Sequence, residues 1–247
     1  MIKLIADYHT HTIYSHGKGT ILDNVQEARS KGLKSVAITD HSKNHFAFGI
    51  KPQNIEKMRY EIDRINEEYK DINVLLGLEC NIISRDGEID IDESIIKYLD
   101  ILSLGYHMLV LPKSFLDFIH IYGRHYTSLL NKAWLERTSQ RNTETMIKAI
   151  NNYRIDFITH PGARIPMDIQ SLSKEAAKVD TALEINAVSN VMTLEEIKFA
   201  AGQGVKFIIN SDAHTPQDVG NFRDAIKLAE EAGLENEQIM NSYRFEI

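Results

Sequence analysis

The 247-residue sequence predicts an α/β fold, a closed (β/α) barrel of seven parallel strands. Three observations predict it. Seven short apolar or β-branched runs alternate with longer helical patterns, the order expected of parallel strands joined by crossover helices. The runs are almost wholly apolar, as strands covered on both faces must be. No GxGxxG or GxxxxGK[ST] follows the first run, so the phosphate loop of an open nucleotide-binding sheet is missing.

KLIADY (3–8) is the first strand, and LDNVQEARSKG (22–32) the first helix. Leu22, Val25 and Ala28 recur at helical spacing, Thr20 or Asp23 caps the start, and Gly32 stops it. SVAITD (35–40) and PQNIEKMRYEIDRINEEY (52–69) form the second unit. NVLLGLE (73–79) is the third strand, followed by NIISRDGEIDI (81–91), a small β excursion turning at Asp86–Gly87. DILSLGYH (100–107), DFITH (156–160), ALEINA (182–187) and KFIINSD (206–212) are the remaining strands. Their helices are SLSKEAAKVD, TLEEIKFAAGQG and NFRDAIKLAEEAG, with Ser171, Thr193 and Asn221 as expected N-caps.

Residues 108–150 break the rhythm, being too long for one connection. The expectation is a single domain over 1–247 with a helical insertion at about 112–139, after strand 4. The ordinary barrel helix then occupies roughly 140–152. The insertion is aromatic, with Phe115, Phe118, Tyr122, Tyr126 and Trp134. Phe115, Phe118 and Tyr122 fall on one helical face. That face either packs on the barrel, closes as a lid with Arg124 and His125 facing the pocket, or joins copies into a homo-oligomer.

Composition narrows the function classes. Apolar residues make up 43% and charged residues 26%, enough for a sizeable core. The net charge of −7 argues against a non-specific nucleic-acid binder. No apolar run reaches the roughly 20 residues that span a bilayer, and MIKLIADYHT does not read as a signal peptide. The single cysteine, Cys80, excludes an intrachain disulfide and suits a cytoplasmic setting.

The chemistry gathers where the strands end. His9, His11 and His16 follow strand 1, His41 follows strand 2, and Glu79 ends strand 3. His107 ends strand 4, His160 strand 5, and Asp212 with His214 strand 7, whereas strand 6 offers Asn186. In a parallel barrel these ends meet at one mouth. Residues at i and i+2 of extended chain face one way, so His9 with His11, and Asp212 with His214, can share an ion. Imidazole and carboxylate suit zinc, manganese or iron(II). Cys80 faces away from Glu79 and is not a ligand candidate. Seven of the ten histidines sit on this rim, while His45, His120 and His125 lie in connections.

These residues resemble the PHP (polymerase and histidinol phosphatase) superfamily. DYHTHT matches its first motif, AITDH its second, GLE its third, and HPG and SDAH its later ones. The likeness runs from residue 3 to about 230, and GLEC–NI–DGEID is most similar to the short stand-alone YcdX-like phosphatase branch. The resemblance implies a distorted (β/α)7 barrel with a trinuclear metal centre. By motif, His9, His11, Glu79 and Asp212 would hold one ion. Glu79 would bridge to a second, also bound by His107 and His160. His16, His41 and His214 would hold the third. No ligand position is lost.

Such a pocket is strongly positive, and an activated water there would hydrolyse small phosphate monoesters without a serine or cysteine nucleophile. Glu79, Asp212 and His214 are the candidate catalytic residues. Arg164 and Lys18 are candidates for the phosphate cradle, and Asp7 and Asp40 for orienting imidazoles. The expected partner is a small phosphorylated substrate, with neither membrane nor nucleic acid favoured. Histidinol phosphate is one candidate substrate. Rival readings are a PHP-type nuclease, a metal-loaded binding module and an amidohydrolase-type barrel, which also opens with HxH. The last needs a lysine after a middle strand, and strand 4 has none at its mouth before Lys113.

Overall fold

A computed structural model describes residues 1–123 and 131–243. Seven parallel strands form one sheet in the order β1 to β7. They are β1 (Ala6–Asp7), β2 (Ser35–Ile38), β3 (Asn73–Asn81), β4 (Ile101–Gly105), β5 (Phe157–Ile158), β6 (Ala182–Asn186) and β7 (Phe207–Asn210). The described helices are α1 (Ile21–Ser30), α2 (Asn54–Glu68), α3 (Glu93–Ile96), α4 (Phe115–Phe118), α5 (Lys132–Asn152), α6 (Ile169–Ala176), α7 (Leu194–Gly202) and α8 (Arg223–Glu231). This is the seven-stranded (β/α) barrel that the alternation predicts, in the distorted form that the resemblance implies.

Strand alternation sorts the side chains into two cores. Val36, Ile38, Leu76, Leu78, Leu104, Leu183, Ile185 and Ile209 pack outward in one cluster with helix residues such as Val25, Met58, Ile62 and Ile197. Inside the barrel a smaller cluster of Ala6, Ala37, Ile101, Phe157, Ala182 and Ile208 forms a dry floor. The next inward positions toward the strand ends are polar: Glu79, Ser103, Glu184 and Asn210. An apolar layer therefore closes the barrel beneath a buried polar one.

β1 and β7 are joined by side chains more than by a ladder. One parallel bridge links Thr10 and Ala213. Beside it Asn241 fills the seam. Its Nδ2 donates to the carbonyls of Ala6 (2.8 Å) and Ile209 (2.6 Å), and its Oδ1 accepts from Ile209 N–H. Asp7 adds a second clasp, accepting from Ser211 N–H and Gly220 N–H. Burial pushes the Asp7 carboxyl up, against these bonds. Six-residue KLIADY contributes only a two-residue ladder, because most of its backbone partners are not strands.

The caps obey local chemistry. Thr20 caps α1 in a box with Asp23, so both candidates act, as N-cap and N3. Thr193 and Glu196 form the same box on α7. Asp168, not Ser171, caps α6, because its carboxylate accepts from both Gln170 and Ser171 N–H. α8 starts after Phe222 with no side-chain cap, rather than at Asn221. The 81–91 excursion is present, with Ile82 bridged to Ile89 and Gly87 at φ +80 in its turn.

The insertion is irregular. α4 has four residues and runs into a π-helical turn at Ile119–Gly123. Arg124, His125 and Tyr126 lie outside the described residues. Asn131 caps α5, which runs unbroken from Lys132, so the barrel helix starts well before residue 140. Phe118 and Tyr122 of the expected face pack together, with ring centroids 5.1 Å apart, across the start of the π turn. Tyr122 is buried, whereas Phe115 and Phe118 remain exposed.

Asn241→Leu tests the seam. It leaves three buried backbone groups without partners, and it should destabilise the fold by about 3 kcal/mol in denaturant unfolding. A change below about 0.5 kcal/mol would mean that the seam does not depend on this side chain.

Candidate metal centre

The strand ends bring all nine proposed ligands into one cluster. Glu79, inward on β3, lies at its middle and is fully buried. Its Oε1 is 3.1 Å from both His107 Nε2 and His160 Nε2, which are 3.2 Å apart. Its Oε2 lies 3.5 Å from His9 Nε2 and 3.7 Å from His11 Nε2. Those two nitrogens are 3.2 Å apart and lie 3.5 and 3.4 Å from Asp212 Oδ1. An ion with bonds of about 2.1 Å to tetrahedral donors sets them about 3.4 Å apart. The first two groups therefore match the size of an ion. His16 and His214 meet through their Nε2 atoms.

His41 departs from the motif-based grouping. It turns Nδ1 to Glu79 Oε2 at 2.9 Å. Its donor atoms fall with Glu79 and His107, and also with His11 and His16. It thus lies between the second and third groups. Glu79 Oε2 and the Nδ1 atoms of His11, His16 and His41 are buried without hydrogen-bond partners among the described residues. Glu79 Oε2 and His41 Nδ1, 2.9 Å apart, are the pair of such orphans that a shared cation would satisfy.

Second contacts fix the rings. His9 Nδ1–H donates to Glu184 Oε1 (2.8 Å), and His107 Nδ1–H to Asn81 Oδ1 (2.7 Å). His214 Nδ1–H donates to the Asp212 carbonyl (2.7 Å). Each bond leaves Nε2 as the free lone pair. Asn81 is held in turn by Asp90, which accepts from its N–H and its Nδ2. The 81–91 excursion thus carries Asp90 beneath the ligand. Gly105 has a related role, since a Cβ there would come within 2.0 Å of the His107 ring.

Glu184 is the residue that sequence reading missed. Fully buried on β6, it also accepts from Asn210 Nδ2 (2.9 Å), Asn186 Nδ2 (2.9 Å) and His160 N–H (2.7 Å). It supports strain as well. His160 has φ +27 and Asp212 φ +55, conformations that non-glycine residues adopt only when surroundings enforce them. Asp7 and Asp40 orient backbone rather than imidazoles. Asp40 accepts from Thr12 N–H and Oγ and is 4.0 Å from His11 Nδ1.

Charge explains the titration. Burial disfavours ionisation of Glu79, Glu184 and Asp212, yet the neighbouring imidazoles hold all three below the usual carboxylate range. Burial likewise opposes charge on His9, but Glu184, Asp212 and Glu79 outweigh it and raise its pKa. At His16 and His107 the carboxylates do not outweigh burial. Burial with His214 and His41 lowers His16 to about 3, and burial lowers His107 to about 4 despite Glu79. Neutral imidazole is the form that binds metal.

Other predicted positions sit differently. Lys18 is exposed and lines a surface cavity of about 510 Å³ with Asp23, Glu27 and Gln217. Only its backbone joins the mouth, through Lys18 N–H to the His214 carbonyl. Arg164 is exposed and forms no ion pair among the described residues. His45, expected in a connection, is buried and stacks on His41 with ring centroids 4.6 Å apart. Cys80 packs outward in the helix-facing core, away from the ligands. A cavity of about 220 Å³ reaches Asp212 and His214.

Comparison with known proteins agrees with this geometry. The PHP domain family model matches residues 7–187. A protein named "Probable phosphatase" from Thermoanaerobacter sp. (strain X514) is 33% identical over 98% of this chain and 91% of its own. The DNA polymerase/3'-5' exonuclease PolX of Bacillus subtilis is 28% identical over 97% of this chain but only 39% of its own. The histidinol phosphate phosphatase of Lactococcus lactis, solved with zinc, L-histidinol and phosphate, shares the fold. Its TM-score is 0.66 at 16% identity, covering 95% of each chain.

Glu184→Gln should keep the fold but lower metal affinity about 10- to 100-fold, measured by competition with a chelator. Unchanged affinity would reduce Glu184 to a packing residue.

Proposed function

The chain belongs to the PHP domain family and is a metal-dependent phosphatase, and from that premise we propose that it hydrolyses small phosphate monoesters at a trinuclear centre of zinc, manganese or iron. The observation that carries this reading is the set of buried carboxylates whose ion-pair partners, among the described residues, are only histidines. His9, His11, His16, His41, Glu79, His107, His160, Asp212 and His214 would hold the ions. Divalent ions bound there supply Lewis acidity toward phosphate oxygens and lower the pKa of water.

The chain's own residues do the rest. Glu79 spaces the two inner groups, and Asp212 closes one of them. His214, half-exposed, is the ligand candidate nearest the solvent side of the mouth. Arg164, four residues after His160 and free of ion pairs among the described residues, is the first candidate to take a phosphate oxygen. Lys18 is the weaker phosphate candidate, since acidic Asp23 and Glu27 share its cavity. The exposed Phe115 and Phe118 support reading the insertion as a contact between copies. No described helix is long and apolar enough to cross a membrane, and buried, unpaired Cys80 is in keeping with a cytoplasmic setting.

A phosphodiesterase reading is the alternative, favoured by the likeness to the exonuclease-bearing PolX over nearly all of this chain. A panel separates them: p-nitrophenyl phosphate, its bis-ester, single-stranded DNA and natural monoesters including histidinol phosphate. The metal-loaded protein should favour the monoester over the bis-ester by at least about 100-fold, and chelation should abolish turnover. Glu79→Gln should lose at least ~100-fold, or ~2.7 kcal/mol of transition-state stabilisation. Faster cleavage of the diester or of DNA would reverse the assignment.

A further inference from the structure

Four rings at the mouth lie nearly parallel. His16 stacks on His41 (4.9 Å, 13°), His41 on His45 (4.6 Å, 19°), His45 on Phe48 (5.1 Å, 27°) and Phe48 back on His16 (4.5 Å, 20°). Phe48 is the most exposed ring of the set, at 39%. Its backbone is held, since Phe48 N–H donates to His45 Nδ1 (3.3 Å) and Gly49 N–H to the His45 carbonyl (2.8 Å).

This loop is paired with the chain that leaves His107. His45 bridges antiparallel to Val110, Phe46 N–H donates to the Leu109 carbonyl, and Leu111 N–H donates to the Asn44 carbonyl. The paired segments present large apolar side chains to water: Phe46 is 74% exposed, Leu109 56% and Leu111 53%. Leu109 holds φ +63, strain that its own burial does not repay. Lys43 on the same loop is tied to Asp92. A rigid, exposed apolar lip of this kind marks a binding surface.

Resting on the phosphomonoesterase reading, we propose that this lip receives the substrate's leaving group, and that the leaving group is an apolar aromatic alcohol. Continuity with the ligand cluster sets the occupant. Phe48 stacks directly on His16, so a phosphate held by the cluster would place the first atoms of its ester against Phe48. A planar ring extends the existing stack at favourable geometry. A polyol would lose water from its hydroxyls against Phe46, Phe48 and Leu109. The residues that select the substrate are thus distinct from those that hold the ions.

The test compares benzyl phosphate with methyl phosphate, both esters of primary alcohols, on the metal-loaded protein. Calorimetric binding of benzylphosphonate and methylphosphonate gives a readout without turnover. Wild type should favour the benzyl member of each pair by at least about tenfold, in kcat/KM and in Kd. The ratio should fall to about threefold or less in Phe48→Ala and persist in Phe48→Trp. Taking the ratio within one protein cancels any loss of metal or of folded fraction. Hydrolysis of both esters without preference overturns this inference and leaves the phosphomonoesterase reading intact. Hydrolysis of neither, with metal bound, overturns both. A benzyl preference that survives Phe48→Ala removes the leaving group from this lip. A lower mass by light scattering in Phe46→Glu would make the lip a contact between copies, and would also overturn the inference.

Discussion

Everything at the mouth follows from burying Glu79 with no lysine or arginine partner among the described residues. A carboxylate taken out of water must find positive charge or become neutral. Here three carboxylates, Glu79, Glu184 and Asp212, are buried within reach of imidazoles. Protonated histidines answer that need only partly, because they repel one another and resist burial, as His11 and His16 do. Divalent cations answer it fully, and they let every histidine stay neutral. The apolar floor around Phe157 makes the requirement strict by keeping water from entering below.

Positioning and folding are coupled through the same few bonds. Glu184 fixes the His9 tautomer and also accepts from the strained His160 backbone. Asp7 and Asn241 close the seam between β1 and β7, and that seam brings His9 and His11 to Asp212. Asp90 is coupled to His107 only because the excursion after β3 folds it under Asn81. The placement of the candidate ligands is therefore distributed over several connections.

Much of this was legible in the sequence. The strand-ending histidines and the i, i+2 pairs pointed to one mouth, and the nine residues do lie together there, because a parallel sheet leaves little choice about where strand ends meet. Glu184 escapes because ALEINA reads as a buried strand whose polar contribution is Asn186 at its end. The signal was present: Glu184 shares the Asn186 face, and a glutamate in an otherwise apolar parallel strand must be paired. His45 escaped because loop conformation is not periodic, so nothing in its spacing tells that the chain turns back onto His41. The insertion resisted for a similar reason. Helical spacing gives no sign of the π turn at Ile119–Gly123, although Phe118 and Tyr122 still pack together across its start.

Metal stoichiometry of the purified protein tests the central claim most directly. Elemental analysis after growth with excess zinc and manganese should give about three ions per chain, since nine candidate ligands are too many for one tetrahedral site. The same analysis on Glu79→Gln should give about one, since one carboxylate spaces two of the groups. Wild-type protein holding one ion or fewer per chain, or Glu79→Gln retaining the full complement, would contradict the account.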